Sequence, residues 1–138
     1  MKTYQPKAKE VKRLWHLVDA KGEILGRLSS RIAQLLTGKG KATFSTQTDV
    51  GDFVVVVNAE KIEFTGRKAV QKVYRSHSGY PGGLKEVSFS KMLERHPERI
   101  VEKAVSGMLP DNRLKKDRMA RLKVVVGEGN PYEEKFKE

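Results

Sequence analysis

Phe53-Val54-Val55-Val56-Val57-Asn58 (F-V-V-V-V-N) is the stretch that decides the fold. Its four consecutive valines are β-branched, which restricts χ1 and favours extended backbone over helix. The run also lacks the polar alternation of a strand with one wet face. It therefore reads as a strand covered on both faces, as strands of parallel sheets are. Just upstream, Asp49 and Asp52 flank Gly51, and turn formation accounts for both aspartates without acid–base chemistry.

Outward toward the N-terminus, Leu14–Asp19 reads as a second strand, closed by a turn at Ala20–Glu23 around Gly22. From Ile24 to Leu36 the apolar positions Leu25, Leu28, Ile32, Leu35 and Leu36 share one helical face, with Arg27 and Arg31 on another. Gly38 and Gly40 end that helix. Lys39 and Lys41 stand at its C-terminal end, either as partners of the helix dipole or as phosphate contacts. Residues 1–13 form a basic polar arm without apolar periodicity.

Downstream, Ile62–Phe64 is a short apolar run, and a short basic helix is expected from Thr65 to about Tyr74. Lys72–Lys85 (K-V-Y-R-S-H-S-G-Y-P-G-G-L-K) is expected to be mostly loop, followed by a brief extended stretch at Glu86–Phe89. Ser90 is expected to cap a helix over Lys91–Arg95, and Pro97 fits the first turn of the next one. In that helix Ile100, Val101, Ala104, Val105 and Met108 repeat at helical spacing, with Met108 expected as core filler and Gly107 as a point of close approach. Pro110 stops it. Residues 111–121 are dense in cations, Leu122–Val126 is a late strand, and 127–138 an acidic, mobile tail. The order of elements implies a single α/β domain over residues 1–138, built on a small, mostly parallel central sheet of about four strands with helices on both faces.

Composition narrows function. The 138 residues carry 28 Lys plus Arg against 17 Asp plus Glu, a formal charge of +11 that favours a polyanionic partner. Nucleic acid is the first candidate and an anionic membrane surface the second. Without cysteine there are no disulfides, no thiolate chemistry and no Cys-based zinc site. The N-terminal segment has cations but no apolar run behind them, and Phe53–Val57 is the longest apolar stretch, so a soluble, cytoplasmic protein is expected.

Catalytic constellations are thin. His16, His77 and His96 lack metal-ligand spacing, and His16, inside an apolar strand, reads as a hydrogen-bonded structural residue. Thr37–Thr43 (T-G-K-G-K-A-T) does not meet the phosphate-loop pattern and follows a helix instead of joining strand to helix. No G-x-G-x-x-G is present. A nucleotide-dependent enzyme on an α/β sheet is the competing class, and it lacks its signature. A membrane-surface module is the third, and no long amphipathic cationic helix supports it. No cofactor, metal, catalytic residue or small-molecule substrate is expected.

The Lys72–Lys85 stretch is either a solvated surface loop or a ligand surface. Cations, flat rings and bare glycine backbone together suit phosphates and stacked bases. The candidate RNA-binding residues fall in three sets: Lys39 and Lys41; Arg67, Lys68, Lys72, Arg75, His77, Ser78, Tyr80, Gly82, Gly83 and Lys85; and Arg113, Lys115, Lys116, Arg118 and Arg121. Three such sets around short loops, with aromatics in one, favour RNA over a merely solvated surface.

Several stretches resemble the bacterial large-subunit ribosomal protein L13 family. They are L-W-H-L-V-D-A-K-G-E-I-L-G-R-L at 14–28, G-D-F-V-V-V-V-N-A at 51–59, T-G-R-K at 65–68, H-S-G-Y-P-G-G-L-K at 77–85, H-P-E-R at 96–99, A-V-S-G-M-L-P at 104–110 and N-R-L at 112–114. The resemblance implies a three-layer α/β/α fold and a non-catalytic role: binding large-subunit ribosomal RNA early in subunit assembly, beside other ribosomal proteins. Within the family pattern the loop motif falls on His77–Lys85 and the basic segment on Arg113–Lys123. The chain departs from that pattern at Asp111, Lys115-Lys116, residues 44–47 and beyond Gly127.

Overall fold

The computed structural model describes residues 3–137. Strand β2 (Phe53–Val57) is the middle of a three-stranded parallel sheet, between β1 (Trp15–Asp19) and β5 (Leu122–Val124). Register runs Trp15 to Phe53 through Asp19 to Val57 on one side, and Val54 to Leu122 through Val56 to Val124 on the other. Residues 54 to 57 are buried, as their continuous apolar run requires.

Side chains alternate along β2, so Val54 and Val56 face one layer and Phe53, Val55 and Val57 the other. The first layer is helical. Helix α1 (Leu25–Thr37) buries Leu25, Leu28, Ile32 and Leu36, and α4 (Pro97–Met108) buries Ile100, Val101 and Val105 in the same core. Pro97 does occupy the first turn of α4. The opposite layer contains Trp15 stacked on Phe53, ring centroids 4.3 Å apart and planes within 5°. Tyr132 and Phe136, the latter in a 3₁₀ turn at Glu133–Phe136, lie 6.0 and 6.1 Å from Trp15. The expected mobile tail is thus anchored back on β1, because two aromatic rings find a third; such pairs contribute roughly 0.5–1.5 kcal/mol each beyond the area they bury.

The junction between α1 and β2 fixes how these two legible elements meet. The Asp52 N–H donates to the Leu35 carbonyl at 3.1 Å. At Gly51 a Cβ would stand 1.7 Å from the Leu36 carbonyl oxygen, so only glycine allows the approach.

Several local expectations are corrected. The Lys72–Lys85 stretch is not mostly loop. It holds β3 (Val73–His77) and the start of β4 (Leu84–Ser88), an antiparallel pair separate from the parallel sheet. The basic helix before it, α2, covers only Lys68–Gln71. Helix α3 (Phe89–Arg95) begins one residue before Ser90, with Ser88 at its N-cap and no side-chain cap bond. Met108 is 45% exposed and fills no core; its sulfur lies at the surface, 3.6 Å from the Ser30 hydroxyl of α1. Among the described residues nothing comes within 4 Å of a Cβ built at Gly107, so none of them makes the close approach expected there. The parallel sheet has three strands, with one further parallel bridge between Ile24 and Glu63.

Candidate nucleic-acid interface

Five consecutive pairs hold β3 to β4, from Val73–Ser88 to His77–Leu84. Tyr74, the inward residue of β3, is buried and stacks toward Phe89 at 6.3 Å. With its cross-strand partner Val87, which also packs against the core, Tyr74 orients the pair, and the alternate positions Arg75 and His77 point away into solvent. The connecting loop is tightly built. Gly83 N–H donates to the Tyr80 carbonyl at 2.9 Å, with Pro81 and Gly82 as the central turn residues and Gly82 at φ +70°. A Cβ at Gly83 would stand 2.8 Å from the Tyr80 carbonyl oxygen, which is fixed by the turn, besides meeting the Ser78 hydroxyl oxygen at 2.1 Å, so the turn favours glycine there too. Gly79 N–H donates to His77 Nδ1 at 2.8 Å, which leaves Nε2 to face outward as the donor. Tyr80 is 75% exposed at the tip. Arg75 meets Glu86 across the strands through Nε at 2.7 Å, a solvent-exposed pair.

A second cluster of cations behaves differently. Asp49 accepts both guanidinium nitrogens of Arg121, with Nη2 to Oδ1 at 2.7 Å, while Arg118 Nε lies 3.7 Å from Oδ1 and Arg13 Nη1 3.8 Å from Oδ2. Asp52 accepts Lys41 Nζ at 2.5 Å and the Leu14 N–H at 3.0 Å, and His16 Nε2 lies 2.9 Å from its other oxygen. Burial alone would raise both carboxyl pKa values. The hydrogen bonds and charges of Arg121 and Arg13 at Asp49, and of Lys41, Leu14 and His16 at Asp52, outweigh it and hold both below the ordinary aspartate range. His16 is therefore the structural histidine expected. The aspartates do more than turn the chain: they tie the N-terminal arm, the end of α1 and the segment around α5 (Lys115–Ala120) to the start of β2.

The sequence pattern of the family described as ribosomal protein L13 matches residues 13–131. The chain belongs to the ribosomal protein L13 family. It is 53% identical over 132 residues to the large ribosomal subunit protein uL13 of Chloroflexus aggregans, covering 96% of this chain and 92% of that one. The uL13 protein of Pelobacter propionicus is 53% identical over 133 residues, covering 96% and 94%, and that of Roseiflexus castenholzii 54% over 132, covering 96% and 90%.

In this L13-family chain the candidate residues divide by what already holds them. Arg118 is 1% exposed and Arg121 7%, both directed at Asp49, so neither reaches a surface ligand. Lys41 is likewise committed: its three donors go to the Lys12 and Val50 carbonyls, at 2.8 and 2.9 Å, and to Asp52. These three leave the interface. Lys115 is engaged one helical turn back by Asp111 at 2.6 Å. Lys39, Arg67, Lys68, Arg75, His77, Ser78, Tyr80, Lys85, Arg113 and Lys116 are exposed, and Lys72 is half-buried. Arg67, Lys68 and Lys72 line one surface hollow beside the hairpin. Arg113 and Lys116 belong to a different part of the body, where α5 packs on α1, α4 and β5. Lys103, absent from the candidates, has its ammonium 4.9 Å from the centre of the Tyr74 ring, and that of Lys72, distant in sequence, is 5.3 Å from the same ring. The only sequence signal for it was a lysine one residue before the buried-side Ala104 of α4.

Proposed function

We propose that this chain binds large-subunit ribosomal RNA as a non-catalytic structural constituent of the large ribosomal subunit, and that it joins the subunit early in assembly beside other ribosomal proteins. Membership of a family of ribosomal proteins supports a role in translation at the cytoplasmic ribosome. One observation supports the RNA contact most directly: the β3–β4 hairpin exposes Arg75 and His77 on its outer face, Lys85 on the opposite face and Tyr80 at its tip, on a backbone fixed by strand pairing and a glycine-dependent turn. Cations held that way meet phosphates and 2′-hydroxyls with little ordering cost, and exposed rings stack on unpaired bases. Among the described residues no helix is long and apolar enough to cross a membrane.

Co-sedimentation with large-subunit rRNA in salt-graded sucrose gradients tests this. Affinity is expected to fall steeply with salt, with a log–log slope of roughly 0.7–0.9 per phosphate neutralised. Replacing Arg75, His77 and Lys85 together with Ala should lower affinity on the order of tenfold and flatten the slope by roughly 2. Unchanged binding by the triple variant would move the contact off the hairpin, and a salt-independent affinity would sink the electrostatic mechanism.

A further inference from the structure

Between the first turn of α1, helix α2 and the last turns of α4 lies a cavity of about 320 Å³. Its wall carries three ammonium groups, Lys68, Lys72 and Lys103, and no carboxylate. None of the three forms an ion pair among the described residues. Lys72 and Lys103 are both held over the ring of Tyr74, whose buried hydroxyl has no hydrogen-bond partner among the described residues. Phe64 supplies a flat apolar wall, locked edge-on against Phe89 at 4.4 Å. Gly26 and Gly107 open the rim, and a Cβ at either would meet nothing within 4 Å. The first turn of α1 has no acidic residue and no side-chain cap, so its dipole adds to the positive field.

We propose that this cavity receives one unpaired nucleotide of an RNA strand, its base against Phe64 and its phosphate among Lys68, Lys72 and Lys103. The proposal rests on the RNA-binding function above and adds a site and a residue, Lys103, to it. Three cations without a carboxylate partner among the described residues call for an anion, while the aromatic wall and a volume at the small end of ligand sites call for a flat ring attached to it. Lys72 leads directly into β3, so a strand lying on the hairpin can place one nucleotide here without leaving the surface.

The test is a nitrogen-15 NMR titration of the full chain with 5′-AMP, 5′-UMP, inorganic phosphate and a short single-stranded oligoribonucleotide, beside rRNA co-sedimentation. The nucleotides and the oligomer are expected to shift the Gly26 and Gly107 amides saturably, the oligomer most tightly, and phosphate about fivefold or more weakly because it lacks the stacked ring. Gly107→Leu should fill the cavity and abolish these shifts while its melting temperature holds or rises, since the position is helical and open. Lys103→Gln should weaken nucleotide binding with the hairpin amides unmoved.

Phosphate shifting the same amides as strongly as nucleotide would reduce the cavity to a cationic patch and overturn the proposal. Unaltered nucleotide binding by a folded Gly107→Leu variant would overturn it too. Binding of mononucleotide but not of the oligomer would assign the cavity to a free nucleotide and overturn the RNA assignment. Silent cavity amides with rRNA still bound would remove the cavity and leave the function. Occupied cavity amides without rRNA retention would keep the nucleotide site and remove the function.

Discussion

Arg121 and Arg75 are the same residue type, each paired with a carboxylate, and they serve opposite ends. Arg121 is buried beside Asp49, with further bonds to the Leu36 and Asp52 carbonyls at 3.0 and 3.3 Å. Arg75 stands in solvent with one bond to Glu86. At Asp49 and Asp52, cations are wholly or partly withdrawn from water and directed at carboxylates inside the fold, joining segments that are distant in sequence. On the hairpin the cations stay exposed to water, carried on a backbone fixed by strand pairing. The contrast shows that a count of lysines and arginines overstates an RNA surface: part of the positive charge is internal structure.

The sharpest way to break the comparison is to remove a charge from each region. Asp49→Asn keeps the side-chain shape but strands Arg121 and Arg118 inside. Arg118 already lacks hydrogen-bond partners for Nε and Nη1 among the described residues. Losing one member of such a buried cluster costs about 3–5 kcal/mol. Urea denaturation followed by circular dichroism should show that loss, whereas the Arg75/His77/Lys85 triple alanine variant should stay within about 0.5 kcal/mol of the parent. Equal losses in the two variants would erase the distinction between the regions.

Acid separates them by a smaller effect. The folded-state pKa values of Asp49 and Asp52 lie below the ordinary aspartate value of 3.8. Their contribution is therefore complete above that value and is lost as pH falls below it through the depressed folded pKa values. Stability should be flat from neutral pH down to about 5 and then fall. In Asp52→Asn the fall should be shallower, because one of the two linked protonations is gone. A fall as steep as the parent's would place the acid sensitivity elsewhere.

What the sequence discloses follows the range of the forces involved. The middle strand and α1 were legible because β-branching and a 3.6-residue apolar period are local signals. The hairpin was hidden because only Tyr74 of its first strand faces inward, so Val73–His77 carries no alternating apolar pattern and the Gly and Pro residues of its turn dominate. Sequence alone places Arg118 and Arg121 at the surface because their partner, Asp49, is about 70 residues away and only the folded sheet brings it near. Exposed candidates such as Lys85 and Arg113 needed no such partner, and composition alone pointed to them. Lys103 stayed hidden because its neighbour is a tyrosine ring on another element.

The finest distinction concerns whether the Arg75–Glu86 pair helps or hinders the surface it sits on. Both side chains are well exposed, so Glu86→Gln should change stability by no more than about 0.5 kcal/mol. Its effect on rRNA affinity has a sign that discriminates. If Glu86 mainly offsets the charge of Arg75, removing it should tighten binding on the order of two- to threefold at moderate salt, with the gain shrinking as salt screens it. If Glu86 instead orients the guanidinium toward a phosphate, the same substitution should weaken binding at every salt concentration. The hairpin backbone is already fixed by its strand pairing and turn, and the pair uses only Nε of Arg75, so the expected outcome is tightening. Filter binding of Glu86→Gln across a salt series decides it, and weaker binding would mean that even an exposed pair here is a positioning device like those at Asp49.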